Sequence, residues 1–129
     1  MGARLYSRLS LNHSSMIPIY EQLVSQVKAG IVSGELAPGS VLPSVRSLAA
    51  ELAISALTVK KAYDRLEEEG VIVTVHGKGS FVADNNGTLI AETRQRETEA
   101  LFAEAIERAR ASGMSREEIK ALIDIILEA

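Results

Sequence analysis

Ser44-Val45-Arg46-Ser47-Leu48-Ala49-Ala50-Glu51-Leu52-Ala53-Ile54-Ser55-Ala56-Leu57-Thr58-Val59-Lys60-Lys61-Ala62-Tyr63 carries the pattern that is most informative about architecture. It holds two short amphipathic patterns on either side of a three-residue corner. Ser44 suits the N-cap of the first helix, where its hydroxyl accepts a backbone N–H that the helix itself leaves unsatisfied. Val45, Leu48, Ala49 and Leu52 fall on one side, and the pattern stops near Leu52. Ala53-Ile54-Ser55 forms the corner. Ser55 suits the N-cap of the second helix, which runs from about Ala56 to Glu69 and ends at Gly70. Val59, Ala62, Tyr63 and Leu66 make its buried face. Ile54 stands just before the cap and Val59 four residues after it. That is the spacing of a hydrophobic staple, which fixes the angle between the two helices.

Working upstream, Pro18 is expected at the first position of a longer helix, where its missing N–H costs nothing. Ile17, Tyr20, Leu23, Val24, Val27 and Ile31 share one face of it, and Gly34 supplies a left-handed cap. Pro38-Gly39 marks a turn; Ser40-Val41-Leu42, closed by Pro43, is a small strand. Residues 1–15 read as a loose start, with Leu9 and Leu11 alternating with polar residues in a short strand or packed tail.

Downstream, Val71–Val75 and Ser80–Ala83 flank His76-Gly77-Lys78-Gly79 and read as a β-hairpin. Asn85-Asn86-Gly87 is a break. A long helix is expected from about Leu89 to Ala111, with Ala91, Leu101, Phe102, Ala105, Ile106 and Ala109 on its apolar side and a stop at Ser112-Gly113. Ser115 and Glu118 carry capping-box spacing for a last helix, striped by Ile119, Leu122, Ile123, Ile126 and Leu127.

The 129 residues amount to one domain with a small appendage. Without cysteine there is no disulfide framework and no thiolate metal site, and a reducing cytoplasm is the natural compartment. Residues 1–15 lack an apolar run of signal-peptide length, and no stretch is long and apolar enough to span a membrane. The net charge of −3 runs against a nucleic-acid partner, but it is unevenly placed. Residues 1–86 balance eight basic against eight acidic side chains, while residues 87–129 hold six against nine. A DNA reader therefore sits in the balanced part, with its cations gathered on one face.

The order helix, small strand, helix, corner, helix, hairpin is the winged helix-turn-helix plan. The chain is thus expected to be α+β, mainly α: an N-terminal tail over 1–15, a winged helix-turn-helix DNA-binding domain over 16–86, and a two-helix dimerisation hairpin over 87–129. An isolated helical hairpin buries too little area to be stable, so the stripe formed by Leu101, Phe102, Ala105, Ile106, Ile119, Leu122, Ile123 and Ile126 is read as the contact with a second copy.

Several runs bear a specific resemblance. Pro18-Ile19-Tyr20-Glu21-Gln22-Leu23, Ser33-Gly34-Glu35-Leu36, Pro38-Gly39, Leu42-Pro43-Ser44-Val45-Arg46, Thr58-Val59-Lys60-Lys61-Ala62-Tyr63, Leu66-Glu67-Glu68-Glu69-Gly70 and Gly77-Lys78-Gly79-Ser80-Phe81-Val82 together resemble the GntR family of bacterial regulators over about residues 16–83. The short tail resembles that of the YtrA subfamily, in which it mediates dimerisation. The resemblance implies a homodimer that binds double-stranded DNA at an inverted repeat, usually to repress transcription, with activation left open. It implies DNA contacts from Arg46 at the start of the second helix, with Ser44 and Ser47 near a phosphate. On the reading helix it implies Ser55, Thr58 and Lys60 facing the groove and Lys61 at a phosphate. At the wing tip it implies His76 and Gly77 at the minor groove, with Lys78 adding charge.

The corner departs from the family pattern, which usually carries glycine there. Ala56 stands where some relatives have a base-reading arginine, so bidentate guanine recognition is not available at that point. Leu57 can touch a thymine methyl instead, or pack locally. Arg46 has the duller alternative of pairing with Glu51 or Glu21, and Lys60 and Lys61 that of a solvated helix face.

No nucleophile–base pair, metal cluster or phosphate loop appears, and no cofactor is expected; His13 and His76 are too far apart in sequence to point to a metal. An enzyme is therefore disfavoured. A rival reading is a protein-interaction adaptor that kept the winged fold and lost DNA binding. An unidentified small-molecule effector at the dimer interface stays open.

Overall fold

The computed structural model describes residues 9–129. Residues 1–8 of the expected loose start lie outside the described residues. Among the described residues, five helices and one two-stranded antiparallel sheet follow in the order α1 (Ile19–Ser33), α2 (Val45–Leu52), α3 (Ala56–Glu68), β1 (Ile72–Val75), β2 (Gly79–Val82), α4 (Gly87–Ala111) and α5 (Arg116–Glu128). They divide into two compact units, one ending at Ile90 and the other covering Ala91–Ala129.

In the first unit, α1, α2 and α3 close over one core. Leu23, Val27, Leu48, Val59, Leu66 and Ile72 are fully buried there, each contributing roughly 1.5–3 kcal/mol by leaving water. Ile17 was expected on the same face but is exposed, because it precedes the helix. Pro18 serves as N-cap rather than as the first helical residue; its carbonyl accepts the Gln22 N–H at 3.1 Å. Gly34 takes the left-handed cap at φ 88°.

Among the described residues before α1, 9–18, there is no strand. Gln22 and Gln26, one helical turn apart, hold that segment instead. Each side-chain amide exchanges two hydrogen bonds with one backbone residue, Gln26 with Ser10 and Gln22 with Asn12, at 2.8–2.9 Å. Leu9 packs against the core beside them.

The wing is β1–β2, with Ile72 opposite Val82 and Val75 opposite Gly79. Each strand lies one residue away from its expected bounds, β1 starting later and β2 starting earlier. The small strand at residues 40–42 is reduced to a single bridge, Val41 to Phe81, because Pro43 follows at once. It is still tied to β2, by Leu42 N–H to Ser80 and Val82 N–H to Ser40 at 2.8 and 2.9 Å.

Helix α4 begins two residues earlier than expected, and Leu89 and Ile90 in its first turns pack on the core of the first unit. Helix α5 carries the expected capping box: the Ser115 hydroxyl accepts the Glu118 N–H, and the Glu118 carboxylate accepts the Ser115 N–H. That second hydrogen bond, to a backbone N–H, holds the Glu118 carboxyl below the usual carboxylate range. No residue of α4 or α5 is buried.

Candidate nucleic-acid interface

The site is built from α2, the corner and α3. Ser44 caps α2 by accepting the Ser47 N–H at 3.1 Å, and Ser55 caps α3 by accepting the Thr58 N–H at 3.2 Å. Either cap is worth about 1 kcal/mol against alanine. Both hydroxyls keep a proton to donate outward. Between the helices, Ala53 takes φ 54° and ψ 45°, the only left-handed non-glycine residue among those described. The conformation costs an L-residue with a Cβ about 1–2 kcal/mol. It persists because the corner is held on both sides: Ile54 donates its N–H to the Ala49 carbonyl at 3.0 Å and packs against the core.

Two further contacts hold α3 from behind. Tyr63, buried, donates its hydroxyl to the Pro43 carbonyl at 2.7 Å. At the far end, Glu69 accepts hydrogen bonds from Lys28 of α1 and Arg65 of α3. Lys28, then Arg65, hold the Glu69 carboxyl below its ordinary value, against the opposing effect of burial. The carboxylate of Glu69 in turn raises Arg65 further, through their hydrogen bond.

The expected contact residues are presented as follows. Ser44, Arg46, Ser47, Ser55, Leu57, Lys60, Lys61, His76, Gly77 and Lys78 are all exposed. Arg46 lies in the first turn of α2 and has no carboxylate partner among the described residues, neither Glu21 nor Glu51. Leu57 is 79% exposed in the first turn of α3, so it is not packed locally. Thr58 is half-buried, its N–H used by the Ser55 cap. Lys60 bonds both oxygens of Asp64 at 3.2 and 2.9 Å, an exposed i,i+4 pair that leaves one ammonium proton to offer. The Lys61 ammonium sits 4.0 Å from the centroid of the Tyr20 ring on α1, a cation–π contact.

His76 and Gly77 are the two central residues of the wing turn, closed by Lys78 N–H to Val75 at 2.9 Å. Gly77 has φ 79°, which the third position of such a turn demands. Among the described residues no three His, Asp or Glu side chains come close enough to hold a metal ion, and no helix is long and apolar enough to cross a membrane.

Sequence reasoning missed Tyr20 as the platform for Lys61, Asp64 as the partner of Lys60, and the Tyr63 hydroxyl contact. The first needed the α1–α3 packing. The second was readable from i,i+4 spacing. The third had only a general signal, that a buried tyrosine needs a partner for its hydroxyl.

The model of bacterial regulatory proteins of the gntR family matches residues 19–82, the segment from α1 to the wing. The transcriptional repressor YtrA of Bacillus subtilis is 34% identical over 111 residues, covering 86% of this chain and 85% of that protein. A transcriptional regulator from Oenococcus oeni superposes with a TM-score of 0.71 at 33% identity, covering 92% of this chain and 98% of the other. The DNA-binding domain of AraR, solved in complex with an operator, superposes with a TM-score of 0.52 at 30% identity over 58% of this chain and 93% of the other. A capped helix–corner–helix, a glycine-turned wing and these likenesses agree: the chain belongs to the GntR family of DNA-binding bacterial transcription regulators and is not an enzyme.

Proposed function

We propose that the chain is a cytoplasmic repressor that binds an inverted-repeat operator as a homodimer. Its reading head is the first turn of α2 with the first two turns of α3; the wing tip reaches the neighbouring minor groove. The observation that carries this is Arg46: an exposed guanidinium with no carboxylate partner among the described residues, in the first turn of the serine-capped helix α2. Such a charge, beside the positive end of a helix, is built for a phosphate. Ser44 and Ser47 flank it, Lys60 and Lys61 add charge along α3, and Lys78 does so at the wing beside the exposed His76 and Gly77.

Leu57 supports a particular readout. An exposed leucine at the tip of the reading helix has water to lose and no polar group to satisfy, so a thymine methyl suits it. The dimer is supported by the second unit, which has no buried side chain of its own. Ile106, Ile119 and Ile123 are half-buried, while Leu101, Phe102, Leu122 and Ile126 are exposed, with Ala105 beside them. Ile125 and Leu127 extend that apolar surface. A surface of this kind is covered by a second copy in a two-fold pair. The relative named YtrA is a repressor, which supports repression here.

The test is selection of bound duplexes from random-sequence DNA by the purified protein. The expected pool holds a two-fold symmetric pair of half-sites whose centres are about 34 Å apart or a multiple of that. A pool without symmetry, or no enrichment at all, overturns the proposal.

A further inference from the structure

We infer that Tyr20 is a positioning residue that holds Lys61 in place for a phosphate contact. The inference rests on the DNA-binding reading above and deepens it. Helix α3 carries three cations, Lys60, Lys61 and Arg65. Two of them are answered by carboxylates four residues further along the chain, Lys60 by Asp64 and Arg65 by Glu69. Lys61 has no carboxylate partner among the described residues. Its ammonium lies 4.0 Å from the centroid of the Tyr20 ring instead.

The difference matters for meeting a polyanion. A lysine paired with an aspartate reaches a phosphate with an acidic neighbour, so the pair brings little net charge. An aromatic ring attracts the ammonium through its quadrupole and carries no charge of its own, so Lys61 keeps its full charge. The ring also fixes where that charge sits. A lysine on an open helix face samples many rotamers and loses them when it meets a phosphate. One already laid against a ring loses less. Tyr20 suits this task because it is itself held: it stands half-buried in the first turn of α1 and packs against the core. Its hydroxyl is turned to the Glu21 carboxylate at 3.3 Å, which leaves the ring as the part that meets Lys61. Tyr20, Lys61 and Leu57 share one open groove formed by α1 and α3, so the charge is placed beside the exposed leucine at the start of α3. The family resemblance gives Tyr20 no part in DNA binding.

The test measures binding of the full chain to a random-sequence duplex over a series of salt concentrations, with the melting temperature of each variant read alongside. Lys61→Ala is expected to bind about fivefold more weakly, with a plot of log affinity against log salt shallower by about one. Tyr20→Leu is expected to bind about threefold more weakly, its salt plot shifted toward that of Lys61→Ala. Tyr20→Phe keeps the ring and is expected to restore binding to within about 1.5-fold of wild type. Tyr20→Leu added to Lys61→Ala is expected to cause no further loss beyond about 1.5-fold. Tyr20→Met, which also lacks a ring, replaces the leucine variant if that one melts below the assay temperature.

Equal weakening by Tyr20→Leu with and without Lys61 overturns the inference, since it marks a merely structural role. So does wild-type binding by Tyr20→Leu, or a phenylalanine variant as weak as the leucine one, which places the role in the hydroxyl. If Lys61→Ala binds as wild type does, Lys61 meets no phosphate and the inference falls alone. If wild type binds no duplex, the DNA-binding reading falls and this inference falls with it.

Discussion

The Tyr63 hydroxyl, buried on α3, donates a 2.7 Å hydrogen bond to the carbonyl of Pro43, the residue that closes the loop before α2. Helices α2 and α3 are therefore joined twice, once by the corner and once by this bond from behind. Tyr63→Phe keeps the ring and strands a buried carbonyl. The variant is expected to lose about 1–2 kcal/mol of stability, read by denaturant unfolding, and to bind operator more weakly because the angle between α2 and α3 loosens.

Ala53 offers the opposite case. Its left-handed conformation is strained, whereas glycine adopts it without cost. Relief of about 1–2 kcal/mol of strain exceeds the added unfolded-state entropy of about 0.5–1 kcal/mol. Ala53→Gly is therefore expected to raise the melting temperature by a few degrees, about 0.5–1 kcal/mol, with DNA binding unchanged. A melting temperature equal to or below wild type would show that the corner is unstrained.

Acid should weaken the first unit through Glu69. Hydrogen bonds from Lys28 and Arg65 hold its carboxyl below the ordinary value in the folded chain. The stabilisation is thus fully present above the unfolded glutamate range, about pH 4.3, and is lost as pH falls through the lower folded value. Glu69→Gln is expected to melt lower than wild type at neutral pH, with the gap closing in acid. A gap independent of pH would show that the three charges contribute no linked stability.

The exposed apolar surface of the second unit gives a direct prediction. Phe102 is 58% exposed and Leu101 66%. Phe102→Glu is expected to shift the chain from dimer to monomer in sedimentation at micromolar concentration, since a buried, unpaired carboxylate costs several kcal/mol at such a contact. A variant that still sediments as wild type does would remove Phe102 from the interface.

The α2–corner–α3 unit and the wing turn were legible because their signals are local. Ser44 and Ser55 at cap positions, apolar steps over Val45–Leu52 and Val59–Leu66, and Gly77 in the wing turn each depend on a few neighbours in sequence. Gly34 and the Ser115–Glu118 box were legible for the same reason. What failed was mainly long-range. The one local miss is Ile17, which fits the apolar face of α1 by spacing but precedes its Pro18 cap, a boundary that spacing does not fix. The strand at residues 40–42 reads from composition, but only its pairing with Phe81 and Ser80 decided that it is a bridge. The hydrogen bond from the Asn86 amide to the Val71 carbonyl spans 15 residues and has no sequence signature beyond a turn-forming residue. Lys61 reads as a phosphate ligand, and nothing in the sequence placed the Tyr20 ring beneath it.

The proposed interface turns on Arg46 meeting a phosphate. The most direct test is binding of wild type and Arg46→Ala to the selected operator and to random duplex DNA over a series of salt concentrations. The expected result is weaker binding to both DNAs by about tenfold, a plot of log affinity against log salt shallower by about one, and an unchanged melting temperature. Equal affinities and equal salt slopes for the two proteins would contradict the assignment of α2 and α3 as the DNA-reading surface.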